Sequence, residues 1–364
     1  MGIKLSDLKT KFYNKKVFIT GHTGFKGSWL LLTLSSFGAN VKGYSLNPYP
    51  KNCLYNLIDG DTLCSSTIGD IRDSKAIKQE ILDFEPDYIF HMAAQPLVSE
   101  GFKYPLDTFE TNIIGTANLV SSLRYLKKSC SSVIITTDKV YDTIYKDHYY
   151  AEDDRLGGKD PYSSSKACAE LITSSMRESF FNINEFTSHK KTFSTVRSGN
   201  VIGGGDWSEN RLIPDFVRAT NKNEKVLLRN PNAIRPWQHV IDPILGYILV
   251  AYKLDENPKI FSTSFNFGPI EEDCLKVSDV IEKCICAWGS GRVSNDKNII
   301  HFKESAELKL DINKSKSILG WSPLINVDEA IKLTMDWYKF YYLNPKEIKK
   351  FTINQINEVL KSKI

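Results

Sequence analysis

The sequence predicts an α/β fold, a doubly wound parallel sheet with a smaller mixed region toward the C-terminus. Three observations carry this expectation. Short β-branched apolar runs alternate with helical stretches of roughly ten to twenty residues, the pattern of βαβ units. The first run, Val17–Thr20, breaks at once into glycines at 21, 24 and 27 and then into an apolar helical stretch from Trp29. Neither a repeat nor a low-complexity linker interrupts the alternation.

The elements follow in chain order. Val17–Thr20 reads as a buried strand, and Gly21, His22, Thr23, Gly24, Phe25, Lys26 and Gly27 form the turn after it. A strand, a glycine turn and a helix N-terminus gather free N–H groups and the positive end of a helix dipole, which suits a pyrophosphate. Gly21 lets the chain turn, Gly24 lets backbone approach the phosphates, and Gly27 lets a helix over 28–37 pack close to the strand. This is a Rossmann-type turn spaced GxxGxxG, and its seven residues are the first candidates for cofactor binding. The second strand, Val41–Ser45, ends in Ser45, Leu46 and Asn47. Neither an acid for an adenosine ribose nor an Arg for its phosphate stands there, so these residues leave NAD and NADP open.

Thr67–Ile68 is the third strand and runs into Gly69-Asp70-Ile71-Arg72-Asp73. Asp70 and Ile71 lie at the crevice edge, where an Asp carboxylate accepts from adenine; Asp73 alternatively caps a helix over 74–84. After the strand Tyr88–His91, small residues at Ala93 and Ala94, with Gln95, let a flat ligand approach the backbone. Thr111 and Asn112 open a long helix to about Lys127. Val133–Thr137, Thr192–Ser198 and Ser264–Phe267 are the remaining strands. Residues 1–199 and 233–269 then form the dinucleotide-binding domain, and 200–232 with 270–364 form an interleaved substrate-binding cap.

Composition narrows the class. The 364 residues are 41% hydrophobic and 25% charged, ordinary for a globular protein of one large domain or two. A net charge of +4, spread among both signs, argues against a nucleic-acid partner. Seven cysteines without ligand spacing suggest reduced thiols and no metal; Cys284-x-Cys286 has no partner pair. The N-terminus lacks an apolar signal region and no run of 18 apolar residues occurs, so a cytoplasmic protein with no membrane segment is expected.

The chemistry concentrates at one strand end and one helix. Thr136, Thr137, Asp138 and Lys139 follow the fifth strand, and Tyr162 and Lys166 lie at i and i+4 on one helix face. A free Tyr, with a pKa near ~10, is a poor base at neutral pH. A neighbouring ammonium and the charge of an oxidised nicotinamide favour the phenolate. Tyr162 then takes a proton from a substrate hydroxyl while hydride leaves the same carbon, and Thr137 shares that hydrogen bond. The glycine run over 199–205 suits a loop passing close to a ligand. Asn200, Arg211 and Arg235 are candidates for a diphosphate and sugar, because Arg holds phosphate through a planar fork. Trp237 reads as cleft wall or core, and His239 as structural.

With these motifs together, the chain resembles the extended short-chain dehydrogenase/reductases that act on nucleotide-sugars, the NAD-dependent epimerase/dehydratase superfamily. The stretches GHTGFKGSWL, GDIRD, HMAAQ, AAQPLVS, TTDKVY, RSGNVIGGGDW, ENRLIPD and IRPWQHV carry the resemblance, from about Val17 to Pro269, with an echo in LGWSP. Within that superfamily they are most similar to the CDP-glucose branch of the sugar-nucleotide 4,6-dehydratases. The resemblance implies bound NAD, Gln95 and Leu97 at the substrate, and a homodimer paired through helices 105–127 and 162–181. It also implies a reaction: C4 oxidation, loss of water across C5 and C6, and hydride return to C6, toward deoxysugars of surface polysaccharide such as O-antigen. Many relatives carry Asp-Glu after the Thr, with Glu as the C5 base. Here Asp138 as the C6 acid must hold its proton at neutral pH. Lys139 is either the base, which requires that it lose its proton, or the group that stabilises the enolate. The alternatives are a 4-epimerase, which has no use for Asp138 and Lys139, and a dehydratase of another nucleotide-hexose.

Overall fold

The computed structural model describes residues 4–144, 147–295 and 308–363. All seven expected strands form: β1 Lys16–Thr20, β2 Asn40–Ser45, β3 Ser65–Ile68, β4 Tyr88–His91, β5 Cys130–Ile135, β6 Lys191–Ser198 and β7 Ser264–Phe267. They lie in one sheet in the order β7-β6-β5-β4-β1-β2-β3, every neighbouring pair parallel. Parallel sheets covered on both faces need strands apolar on both faces, and all eight residues of β6 and all four of β4 are buried.

Side chains alternate between two apolar layers, as the strand period of two requires. Phe18, Ile89, Ile134 and Phe193 pack with Ile77, Ile81, Leu119 and Val120 on one face. Val17, Ile19, Phe90, Val133 and Val196 pack with Trp29, Leu30 and helix Ile241–Glu256 on the other. The strand order reverses between β1 and β4, so a crevice opens beyond their carboxyl ends. A buried polar pin holds this point together. His91 Nδ1 lies 2.7 Å from Thr20 Oγ1, and its Nε2 lies 3.0 Å from Thr116 Oγ1. Burial brings the His91 pKa down to about 3, which keeps the ring neutral.

Three boundaries differ from expectation. The helix after the glycine turn begins at Phe25, not 28, because extended Gly24 is already its N-cap; Lys26 therefore sits on the helix. The expected long helix is Pro105–Phe109, a π turn over Glu110–Ile114, and Gly115–Ser122. The π turn carries Asn112 inward, where its amide bonds the loop after β4. β5 stops at Ile135, and Thr137 leaves the sheet to cap a short 3₁₀ turn over Asp138–Val140.

Beyond β6 the chain builds a three-stranded mixed sheet from Asn200–Ile202, Ile234–His239 and Cys274–Lys276. Lys225–Leu228 pairs with Arg292–Asn295, and helices Leu212–Asn221, Val277–Trp288 and Val327–Leu343 pack around these strands. The glycine run is only partly what the sequence suggested. Gly204 makes room for the Trp337 ring, 2.0 Å from where a Cβ would stand, while Gly199 and Gly203 face the cavity described below. Among the described residues, no helix is long and apolar enough to cross a membrane, and no group of side chains is arranged to hold a metal ion.

Candidate active site

The glycine turn is built as a cradle. A Cβ on Gly21, whose φ is +76°, would stand 2.7 Å from Ala93 N, and one on Gly27 would stand 2.1 Å from Gly21 O. Only glycine fits at either point. Gly24 is exposed at the mouth, and the first helical bond runs from Ser28 N to Gly24 O at 2.8 Å. The N–H groups of the helix's first turn are thus left for a ligand. Thr23 ties the turn to the end of β2 through Ser45 Oγ at 2.8 Å and the Leu46 carbonyl at 3.0 Å. Ala93 and Ala94 are half-buried on the β4 side.

Several cofactor candidates are turned inward, which corrects the expectation for their side chains. His22 is buried, hydrogen-bonded to Ser66 Oγ at 2.8 Å and packed under Gly43; burial lowers its pKa to about 4. Only its backbone faces the cradle. Ile71 belongs to the core against Gly115. The Asp70 carboxylate is held by Arg72 at 2.7 Å, which keeps it below the usual carboxylate range. Asn112 is fully buried. Its Oδ1 accepts from Gln95 N at 2.8 Å, and its Nδ2 donates to Ser165 Oγ at 2.8 Å and Gln95 O at 3.1 Å. Gln95 in turn donates to Thr108 Oγ1 and accepts from Leu97 N. These residues frame the crevice from behind. Asp73 is the helix cap, accepting from Lys75 N and Ala76 N at 3.0 Å each.

Thr137, Asp138, Lys139 and Tyr162 converge where β5 ends. Tyr162 and Thr137 both line this end of the crevice. Burial pushes the Tyr162 phenol above its ordinary range, while Lys139, Thr137 and Arg211 pull it back. Lys139 is the first cation that pulls Tyr162 back, ahead of Arg211. Lys166 donates to the Ile135 carbonyl at 2.8 Å, and burial brings it down to about 8. Asp138 is completely buried. Its Oδ1 accepts from Thr137 Oγ1 at 3.0 Å and Lys139 Nζ at 3.2 Å, whereas Oδ2 has no partner. A buried carboxylate oxygen without a partner costs free energy.

Behind these residues lies a polar network that the sequence motifs reach only in part, through Arg197 of RSGNVIGGGDW and Thr136 of TTDKVY. Glu170, one turn beyond Lys166, pairs with Arg197 through Oε1–Nε at 3.0 Å and Oε2–Nη2 at 2.9 Å. Thr136 Oγ1 and Thr195 Oγ1 donate to the same carboxylate at 2.5 and 2.6 Å. Thr136 therefore braces the catalytic helix rather than offering its hydroxyl to a cofactor. Burial pushes Glu170 up, but Arg197 and the threonines outweigh it and hold the acid below its ordinary value.

In front lies a cavity of about 330 Å³ lined by Lys26, Leu97, Thr137, Lys139, Tyr162, Asn200, Arg211 and Arg235. Asn200 Oδ1 is 3.5 Å from Lys139 Nζ, and Arg211 is held by Asp206 at 2.9 Å. Lys26 reaches across from the cradle to Ser198 Oγ at 2.9 Å, and burial, with Arg211 beside it, brings its pKa down to about 7. In the far wall, Ile213 to Asp215 close the ENRLIPD stretch, whereas Val226 to Asn230 and Val277 lie outside every quoted motif. Trp237 both lines the cavity and bonds the Leu275 carbonyl, while His239 is buried against Trp29.

The cradle, the switch-point crevice and the Thr, Tyr and Lys arrangement define a dinucleotide-dependent enzyme of the short-chain dehydrogenase/reductase type. More narrowly, the chain belongs to the family described as GDP-mannose 4,6 dehydratase, whose model matches residues 18–334. It is 43% identical over 331 residues, 91% of this chain and 92% of the other, to the CDP-glucose 4,6-dehydratase of Salmonella typhimurium. It is 26% identical to the human dTDP-D-glucose 4,6-dehydratase, over 93% of this chain and 94% of that one. Among solved structures, DesIV from Streptomyces venezuelae, a dTDP-glucose 4,6-dehydratase with NAD and TYD bound, matches with a TM-score of 0.74 at 22% identity. The match covers 90% of this chain and 97% of that one, and it shows the shared fold.

Proposed function

We propose that this chain is a CDP-glucose 4,6-dehydratase, a hydro-lyase that forms CDP-4-dehydro-6-deoxyglucose and water with the help of NAD. The observation that carries the reading is the buried Asp138, paired through one oxygen with Lys139 and unpartnered at the other, beside Tyr162. A 4-epimerase needs no such pair. The 43% identity to a CDP-glucose dehydratase supports both the reaction and the nucleotide.

The cofactor fits the residues present. The cradle of Gly21, Gly24 and Gly27, with Ala93 and Ala94 beside it, leaves backbone N–H groups that would hold a pyrophosphate, and Tyr162 and Lys166 would meet another part of the cofactor. When bound, NAD supplies the acceptor and donor of the hydride. The chain supplies the proton chemistry. Tyr162 takes the proton of the C4 hydroxyl, and Thr137 holds that oxygen in line. Oxidation at C4 makes the C5 proton acidic. Asp138 and Lys139 act as a pair, with one proton that can sit on either. Moving one proton across their 3.2 Å contact yields a neutral amine for C5 and a carboxylic acid for the C6 hydroxyl at once. The C5 proton then goes to Lys139, the Asp138 proton leaves with the C6 oxygen as water, and Lys139 would return its proton to C5 as C6 is reduced. Lys26, Asn200, Arg211 and Arg235 hold the diphosphate and sugar in the cavity.

The division into a dinucleotide domain (1–199, 233–269) and a cap (200–232, 270–364) belongs to the same reading. So does a homodimer: Leu106, Ile114, Leu171 and Phe180 are exposed apolar residues on the two helical segments expected to pair. A cytoplasmic location and a place in surface-polysaccharide synthesis belong to the same reading.

The test is incubation of the protein and NAD with CDP-glucose and, separately, dTDP-glucose, reading alkaline 4-keto-sugar absorbance and product mass. Loss of one water from CDP-glucose is expected. Epimerised sugar of unchanged mass would overturn the reading.

A further inference from the structure

The far end of the cavity holds one carboxylate and one guanidinium whose arrangement bears on the base of the nucleotide. A nucleoside-diphosphate hexose is a linear ligand. With C4 to C6 at Tyr162 and Asp138, the two phosphates pass the cations Lys26, Arg211 and Arg235. The base must then lie beyond them, against Val226–Asn230, Ala233 and Val277. Asp215 and Arg229 are the charged residues that line this end. Asp215 stands one turn from Arg211 on helix Leu212–Asn221, so both address the same cavity.

The two oxygens of Asp215 are not equivalent. Oδ1 is bound tightly by Arg218, which is itself anchored by the carbonyls of Trp207 at 2.8 Å and Ser208 at 3.0 Å. Oδ2 makes a long contact to Arg229 Nη2, at 3.5 Å. The carboxylate is therefore fixed in place by one oxygen and retains acceptor capacity on the other, beside a guanidinium with donors to share.

We infer that Asp215, with Arg229, reads the edge of the base and selects cytosine over uracil or thymine. The inference rests on the nucleotide-sugar reading above. Cytosine presents an exocyclic amine next to a ring-nitrogen acceptor, which matches a carboxylate next to a guanidinium. Uracil and thymine place a carbonyl oxygen and an N–H at those positions, so a carbonyl would face the carboxylate. Selection then works by repulsion as well as attraction; Asp215 and Arg229 are 30% and 34% exposed, so the base itself would complete their burial.

The experiment measures dissociation constants of CDP and UDP by calorimetry, for the unaltered protein and for Asp215→Asn, alongside turnover of CDP-glucose by the unaltered protein. Asn can donate to a uracil carbonyl where Asp cannot. The ratio of the UDP to the CDP constant is expected to be about tenfold or more in the unaltered protein and to fall at least tenfold in the variant. A ratio within about twofold of the original overturns the assignment. Should Asp215→Asn not fold, Arg229→Gln reads the same ratio and leaves the Arg218 contact in place; an unmoved ratio there overturns it equally. Absence of CDP-glucose turnover by the unaltered protein instead overturns the functional reading, so the two failures are told apart.

Discussion

Replacing Glu170 by Gln removes one charge from the most buried ion pair among the described residues and leaves its shape intact. Arg197 and Glu170 each have side chains only 3% exposed, so the remaining guanidinium has no water to turn to. Removing one partner of such a pair costs about 3–5 kcal/mol, because the other charge is left desolvated and unpaired. Gln retains one acceptor for Arg197 or for Thr136 and Thr195, which places the expected loss near the low end, about 3 kcal/mol. Against a total stability of about 5–15 kcal/mol this is large. Urea unfolding measures it, and a shift of midpoint at constant slope is expected. The acid's pKa is depressed in the folded state, so its contribution is fully present above the ordinary Glu range and is lost as pH falls through the folded value. The difference between the Glu170→Gln variant and the original should therefore shrink below about pH 4. A difference under about 1 kcal/mol at neutral pH, or one indifferent to acid, would refute the view that this pair clamps the catalytic helix to β5 and β6.

The catalytic assignments have their own tests. Tyr162→Phe should lower turnover by about 10²- to 10⁴-fold with the fold intact by thermal melting; unchanged turnover refutes the base assignment. Asp138→Asn should stop water loss but allow C4 oxidation, seen as persistent reduced-nicotinamide absorbance on adding sugar; undiminished dehydration removes Asp138 as the C6 acid. Lys166→Met should lose activity yet gain stability at neutral pH, up to about 3 kcal/mol. With the folded pKa of Lys166 lowered to about 8, the unfolded chain binds more protons between that value and the ordinary lysine range. Original stability thus rises with pH across that window, and the Met variant should not share the rise. Gly27→Ala places a methyl 2.1 Å from Gly21 O and should cost about 1–3 kcal/mol together with much of the NAD affinity; ordinary NAD affinity would contradict the cradle.

The amino-acid order by itself determined what is local. The strand periods placed all seven sheet strands, the glycine spacing placed the cradle, and Asp73, Tyr88–His91 and Ser264–Phe267 fell where a short window of sequence put them. Thr137 and Tyr162 were legible from a strand end and a helix spacing read together with the glycine turn, and Asp138 and Lys139 only through the family resemblance. Helix starts were less so, since a glycine in extended conformation is indistinguishable by composition from one ending a turn. Tertiary structure alone decided the rest. Lys26 meets Ser198 across 172 residues of chain, and Arg197 meets Glu170 only because β6 lies beside β5. That His22, Ile71 and Asn112 turn inward while Asp215 and Arg229 line the cavity follows from which face each element buries. Sequence spacing specifies who neighbours whom along one element. The order of strands in the sheet, set by burial of both its faces, decides which distant groups share a site.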